Sequence, residues 1–128
     1  MEAFGDKAFL LLYRNQEPVG IVGWQVENLV ARITDLYLDP RLAPDQALPL
    51  MIREVERASG DLQCEAALIF PPTDLVGLDR VWTQLGYERR APERLGVQAW
   101  EDAALESMPR GTALFFKQLR TDRVLRPI

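Results

Sequence analysis

The sequence predicts an α/β fold: a mixed sheet in which an antiparallel meander is followed by a parallel crossover, with helices on the faces. Three observations carry this. Short apolar or β-branched runs at 8–13, 19–26 and 29–38 are separated by polar turns. A segment of helical period at 48–59 then leads to a buried-type strand at 64–70. A crossover of that length suits a parallel pair, so strand 64–70 is expected beside strand 29–38.

Each element has its own warrant. AFLLLY at 8–13 is followed by polar Arg14 to Pro18, a strand and a turn. VGIVGWQV at 19–26 is rich in β-branched residues and stops at Glu27-Asn28. LVARITDLYL at 29–38 alternates, which places Ile33, Asp35 and Tyr37 on one side and Arg32, Thr34, Leu36 and Leu38 on the other. Asp39-Pro40 ends it. Leu48, Met51, Ile52 and Val55 recur at helical spacing, with Arg53, Glu54, Glu56 and Arg57 opposite and Gly60 as the expected stop. CEAALIF at 64–70 is closed by Pro71-Pro72. Asp74 is expected to cap one helix that carries Leu75, Leu78, Val81, Trp82 and Leu85 on one face and ends at Gly86. Residues 87–90 read as a short extended piece. Residues 97–108 read as an amphipathic helix with Val97, Trp100 and Ala104 inward, and TALFFKQL at 112–119 as the last strand. A polar tail occupies 120–128.

Composition narrows the function. The 128 residues suit one domain, taken as 1–119, and 48% hydrophobic content supplies a core without disulfides or metal. Fifteen basic against nineteen acidic residues, a net charge of −4, argue against a nucleic-acid partner. Cys64 is the single cysteine, which fits a reducing cytoplasm. No apolar run reaches the length of a membrane span, and residues 1–7 lack the pattern of a signal peptide. Histidine is absent, which removes the commonest general base and metal ligand, and no metal site is expected. A catalytic reading must use carboxylates, tyrosines, backbone dipoles or water.

Two motifs carry a family resemblance. ARITDLYLDP at 31–40 is similar to the fourth strand of a GNAT domain, the acetyl-CoA N-acetyltransferase superfamily, and VWTQLGY at 81–87 is similar to that family's late aromatic-Leu-Gly element. With the order of elements between them, the resemblance spans most of residues 8–119. It implies the GNAT fold, and an acetyl-CoA site made by the amides around Leu36 and Leu38 and by the loop after this strand. The family's loop motif, an arginine or glutamine followed at +3 by glycine and at +5 by glycine or alanine, corresponds to Ala43, Gln46 and Leu48, and its late tyrosine, a frequent acid toward the coenzyme thiolate, to Trp82.

The departures from that pattern point one way. No glycine lies between 41 and 57, although a close phosphate needs backbone without Cβ. Pro49 is expected to remove a donor from the helix start. Asp45 adds a negative charge where a diphosphate would sit. Two like charges ~5 Å apart repel by ~3 kcal/mol at an effective dielectric near 20, against ~0.3–1 kcal/mol from the helix dipole. Arg41 or Arg53 would offset part of this. Trp82 carries an indole donor where an acid is wanted, and Arg32 stands where the family often has a glutamate. The family also begins with a strand and two helices, whereas seven residues precede the first strand here, with 2–5 read as the last turn of an absent helix. The exposed strand 8–13 is therefore expected to be covered by a homodimer, by an upstream segment, or by a helix borrowed from 96–108.

Bland readings stand beside the sharp ones. Cys64, in an apolar strand, reads as a buried thiol. Asp35 and Tyr37 read either as base and acid for an amine or as a polar pair on the sheet surface. Trp82 and Trp100 read as core, Trp24 less clearly so, and Arg89, Arg90 and Arg94 as a solvated basic turn. The resulting expectation is a non-catalytic binding, regulatory or subunit module with impaired acetyl-CoA binding and no other cofactor. The alternative is an acetyl-CoA-dependent N-acyltransferase in which a backbone N–H near Leu38 polarises the thioester and Asp35 or water is the base.

Overall fold

A computed structural model describes residues 7–108 and 112–120. The expectations for a helical turn at 2–5 and for the tail beyond Arg120 lie outside the described residues. The strands are β1 Ala8–Arg14, β2 Glu17–Glu27, β3 Val30–Leu38, β4 Ala66–Ile69, β5 Glu88–Arg89 and β6 Phe115–Gln118. The helices are α1 Pro44–Asp61, α2 Thr73–Val76, α3 Asp79–Leu85 and α4 Gln98–Ser107, with a 3₁₀ turn at Pro92–Arg94. The six strands form one sheet in the order β1-β2-β3-β4-β6-β5. The meander is antiparallel, and β3 and β4 are parallel from Val30 opposite Ala66 to Ile33 opposite Ile69. The mixed sheet is the one that the sequence predicts.

Both meander turns are two-residue loops in which both residues are left-handed: Asn15 and Gln16 at φ 50° and 69°, and Asn28 and Leu29 at 55° and 64°. This is the turn geometry whose twist matches paired strands. Asparagine tolerates it; Gln16 and Leu29 are held there by the registers on either side.

The sidedness of β3 needs correction. Gly23 pairs with Asp35 but Trp24 pairs with Ile33, so Thr34 is an extra residue, a β-bulge. The bulge shifts the alternation by one. Ile33 joins Leu36 and Leu38 on the α1 face, and Asp35 and Tyr37 lie on the opposite face without it. Simple alternation had grouped Ile33 with Asp35 and Tyr37.

Two helices also differ from expectation. α1 begins at Pro44, four residues before the periodic stripe, because proline at the first helical position needs no N–H there. It runs through Gly60, and Gln63 at φ 62° makes the left-handed turn instead. The single helix expected from Asp74 is two pieces, α2 and α3, parted at Gly77 and Leu78. Pro72 is the N-cap of α2, and Asp74 makes no side-chain cap. Gly86 does end α3, at φ 94°, with its N–H donating to Thr83 O and that of Tyr87 to Trp82 O.

The core has two parts. On one face, α1 and α3 press Leu48, Met51, Ile52, Val55 and Trp82 against Val22, Ile33, Leu36 and Ile69. Trp82 is fully buried, 5.5 Å from the Phe115 ring, and its Nε1 donates to Leu75 O at 3.0 Å. On the other face, Trp100, Ala103 and Ala104 of α4 pack on Val30, Ala66, Leu68 and Phe116. Buried Arg32 pins α4 by donating to Glu106 Oε1 and Ser107 Oγ, both at 3.1 Å. α4 therefore covers this face over β3, β4 and β6, while Phe9, Leu11 and Tyr13 of β1 and Tyr37 of β3 remain exposed. Among the described residues no helix is long and apolar enough to cross a membrane.

This packing sets a stability contrast. Trp82→Ala is expected to lower the unfolding free energy by about 3–5 kcal/mol. Leu105→Ala, on the exposed side of α4, should change it by no more than about 0.5 kcal/mol. Urea titration followed by circular dichroism measures both.

Candidate acyl-CoA site

The bulge does more than turn side chains. Ile33 O accepts from Phe70 N at 3.2 Å and Leu29 O accepts from Glu65 N at 2.7 Å, so the odd-numbered groups of early β3 face β4. Beyond the bulge, Asp39 N donates to Val19 O at 2.8 Å, so the odd-numbered groups there face β2. Alternation then turns the amides of Leu36 and Leu38 to the β4 side. β4 has already left the ladder at Ile69. The parallel pairing therefore ends before Leu36 and Leu38, which leaves an opening in the ladder on the side these two amides face. The Thr34 hydroxyl at the bulge is buried and has no partner among the described residues.

The other end of such a site is the start of α1. Ala43 is its N-cap, with extended backbone (φ −77°, ψ 116°) and no side-chain hydrogen bond. The first helical residue is Pro44, which has no N–H. The N–H of Gln46 is already bonded back to Ala43 O at 3.1 Å, and that of Ala47 to the same oxygen at 3.0 Å. Asp45 adds an exposed carboxylate to this first turn. Pro49 is not the residue that empties the helix start, as expected from the sequence; it lies inside α1, and Pro44 has that effect. Leu48 is likewise no loop position, being fully buried against the sheet, whereas Ala43 and Gln46 are exposed at the helix start.

Neither arginine that might offset Asp45 is free to do so. Arg41 donates from its main-chain N and its Nε to Asp39 Oδ1, at 2.9 and 3.0 Å, and from a terminal nitrogen to Oδ2 at 2.6 Å. Those hydrogen bonds hold the Asp39 carboxyl at about 2. Arg53 lies nine residues along α1 from Pro44, roughly 14 Å at the helical rise.

The remaining predicted residues are dispersed. Asp35 and Tyr37 share a face, as read from the sequence, but Asp35 accepts from Lys7 Nζ at 2.6 Å and Tyr37 points to solvent. Gly23 makes room for that ion pair, since a Cβ there would lie 2.7 Å from the Phe9 ring and 2.9 Å from Asp35 Oδ2. Trp82 is in the core, its indole committed to Leu75 O, and is not turned to the opening. Cys64 is buried, and burial pushes its thiol up to about 11, which makes it a poor nucleophile. Arg89 and Arg90 lie over the Phe115 and Phe116 rings at 5.2 and 4.9 Å and are paired to Asp79 and Glu88, so they form no open basic patch.

One half-buried polar network has no counterpart in the sequence reading. Tyr87 donates to Glu56 Oε2 at 2.8 Å, and Lys117 Nζ donates to both Glu56 oxygens at 3.1 Å and to Leu85 O at 2.8 Å. It ties α1 to the end of α3 and to β6. Burial, then Glu56, pushes the Tyr87 hydroxyl well above the usual tyrosine range. The available signal is Lys117, a charge directly after the apolar pair Phe115-Phe116.

Solved structures share this architecture. A GNAT-family acetyltransferase from Staphylococcus aureus superposes with a TM-score of 0.68 at 13% identity, over 89% of this chain and 68% of that one. The PaiA N-acetyltransferase of Thermoplasma acidophilum, crystallised with coenzyme A, gives 0.64 at 12% identity, over 88% and 61%. This chain has the GNAT fold. N-acetylglutamate synthase of Neisseria gonorrhoeae, complexed with coenzyme A and N-acetyl-glutamate, gives 0.64 at 10% identity, over 88% of this chain and 26% of its own. The chain therefore spans 61% of the length of one of these proteins and 26% of another. No family model and no curated protein matches the sequence.

The Asp39–Arg41 clamp predicts a titration. Asp39 in Arg41→Ala should rise from about 2 toward 3.8, the ordinary value. Because the folded value is depressed, what the clamp adds to stability is present above pH ~4 and fades as pH falls toward ~2. Carboxyl NMR titration of wild type and variant tests this; an unmoved Asp39 would show that Arg41 is not the cause.

Proposed function

We propose that this chain is a non-catalytic GNAT-fold module, a binding, regulatory or subunit domain that keeps the opening between β3 and β4 but has lost its grip on the diphosphate of acetyl-CoA. The start of α1 is the observation that carries this reading. An N-terminus that binds phosphate presents free N–H groups and a positive dipole end. Here the first residue is proline, the Gln46 amide is bonded to Ala43 O, and Asp45 supplies a negative charge. The residues present do not fit a diphosphate. Asp35, the carboxylate that the sequence offers as a base, has its charge matched by Lys7, and Trp82 offers no acid.

A second reading, an N-acyltransferase acting on an amine, has one observation in its favour. The amides of Leu36 and Leu38 face the opening between β3 and β4, and donors so placed can polarise a carbonyl. The diphosphate end weighs against it, because the thioester that carries the acyl group is held in place through the diphosphate, which the helix start repels. A shared fold does not establish a shared reaction.

Calorimetric titration with acetyl-CoA discriminates the two. The expected Kd is no tighter than ~1 mM, about −4 kcal/mol. Pro44→Gly combined with Asp45→Gly frees one amide and removes the carboxylate, and should tighten binding by at least about tenfold, ~1.4 kcal/mol. Micromolar binding by the wild-type chain would overturn the proposal.

A further inference from the structure

We infer that β1 is a homodimer interface, at which two copies of the chain join their sheets edge to edge in antiparallel register about a two-fold axis at Leu11. Among the described residues β1 is the terminal strand of the sheet. An exposed strand of this length carries a row of unpaired N–H and C=O groups, which natural proteins usually guard with a charge, a proline or a bulge along the strand. β1 reads AFLLLYR and has no proline and no charge before Arg14; the bulge in its ladder is the extra Val19 of β2, opposite Leu12 and Tyr13, and inserts no residue into β1 itself. Its outward residues are apolar as well: Phe9, Leu11 and Tyr13 are 57%, 45% and 56% exposed. They lie on the sheet face that α4 leaves open, beside Tyr37 at 58%.

The strand is complementary to itself. An axis at Leu11 is the register that pairs all seven residues of Ala8–Arg14. It sets Leu11 against its own copy, Leu10 against Leu12, Phe9 against Tyr13 and Ala8 against Arg14. Aromatic and apolar pairs then meet on the open face, and Leu10 meets Leu12 on the core face, where both already pack. A slip of one residue would oppose core-facing to solvent-facing side chains along the whole strand. Like charges are not opposed: Arg14 faces Ala8, and Lys7, just outside the strand, is bound to Asp35. The interface is isologous and closes at two copies.

Sedimentation equilibrium of the full chain at micromolar concentration should give twice the chain mass. Leu11→Lys sets two ammonium groups against each other at the axis and should return the mass to that of one chain, while far-ultraviolet circular dichroism stays that of the folded protein. Cysteine scanning fixes the register independently. In Leu11→Cys the two Cα atoms stand about 4.5–5.5 Å apart, within disulfide reach, and mild oxidation should link the chains. In Phe9→Cys the equivalent atoms are about four residues out of step, roughly 13 Å along the strand, and should not link. Buried Cys64 leaves the reaction to the introduced thiol. A monomeric wild type overturns the inference, as it would if another segment covered β1. So does a dimer that Leu11→Lys leaves intact while folded, or one in which Phe9→Cys links as readily as Leu11→Cys.

Discussion

The extra residue at Thr34 is the constraint on which the rest of the structure depends. A strand of nine residues cannot serve two neighbours over its whole length unless both follow it. β3 pairs with β2 throughout and with β4 for four positions only. The bulge falls where those obligations part. It sends Leu36 and Leu38 into the same core as Ile33, and it turns their amides from β2 to the side that β4 has vacated. One inserted residue thereby produces a continuous hydrophobic face and an open, polar seam in the sheet.

The seam and the start of α1 have separate physical histories. The seam follows from register, so it persists as long as β2, β3 and β4 pair as they do. The helix start follows from four local residues, and nothing in the core requires Ala43, Pro44, Asp45 and Gln46 to be anything in particular. Ala43, Asp45 and Gln46 are exposed, whereas Ala47 and Leu48 behind them are buried. The site can therefore lose its anion end while the scaffold remains intact. The Arg41–Asp39 clamp belongs to the same local chemistry, since it consumes the nearest cation within three residues of the loop.

The fold was largely legible because it depends on periodicity. Strand runs, the helical stripe from Leu48 to Val55 and the Gly86 stop all have short-range causes, and the parallel pair followed from crossover length. The bulge was not legible, because alternation through ARITDLYL looks regular and only the register to β2 reveals the inserted residue. The start of α1 was misplaced because the apolar stripe begins at Leu48, and a polar first turn has no periodic signal of its own. The Tyr87–Glu56–Lys117 network depends on contacts across 31 and 61 residues of sequence, which no local pattern encodes. At the candidate site, the negative reading of Asp45 follows from the family resemblance, which sets its charge in the loop after β3. Placing Pro44 rather than Pro49 at the helix start required the backbone.

Amide hydrogen exchange along β3, followed by NMR, tests the role of the bulge most directly. If the inserted residue turns the strand as described, the amides of Leu36 and Leu38 exchange much faster than those of Tyr37 and Asp39, which face β2, although the side chains of Leu36 and Leu38 are buried in the core. Equal protection of all four amides would contradict the account, because it would mean that the strand carries no open seam.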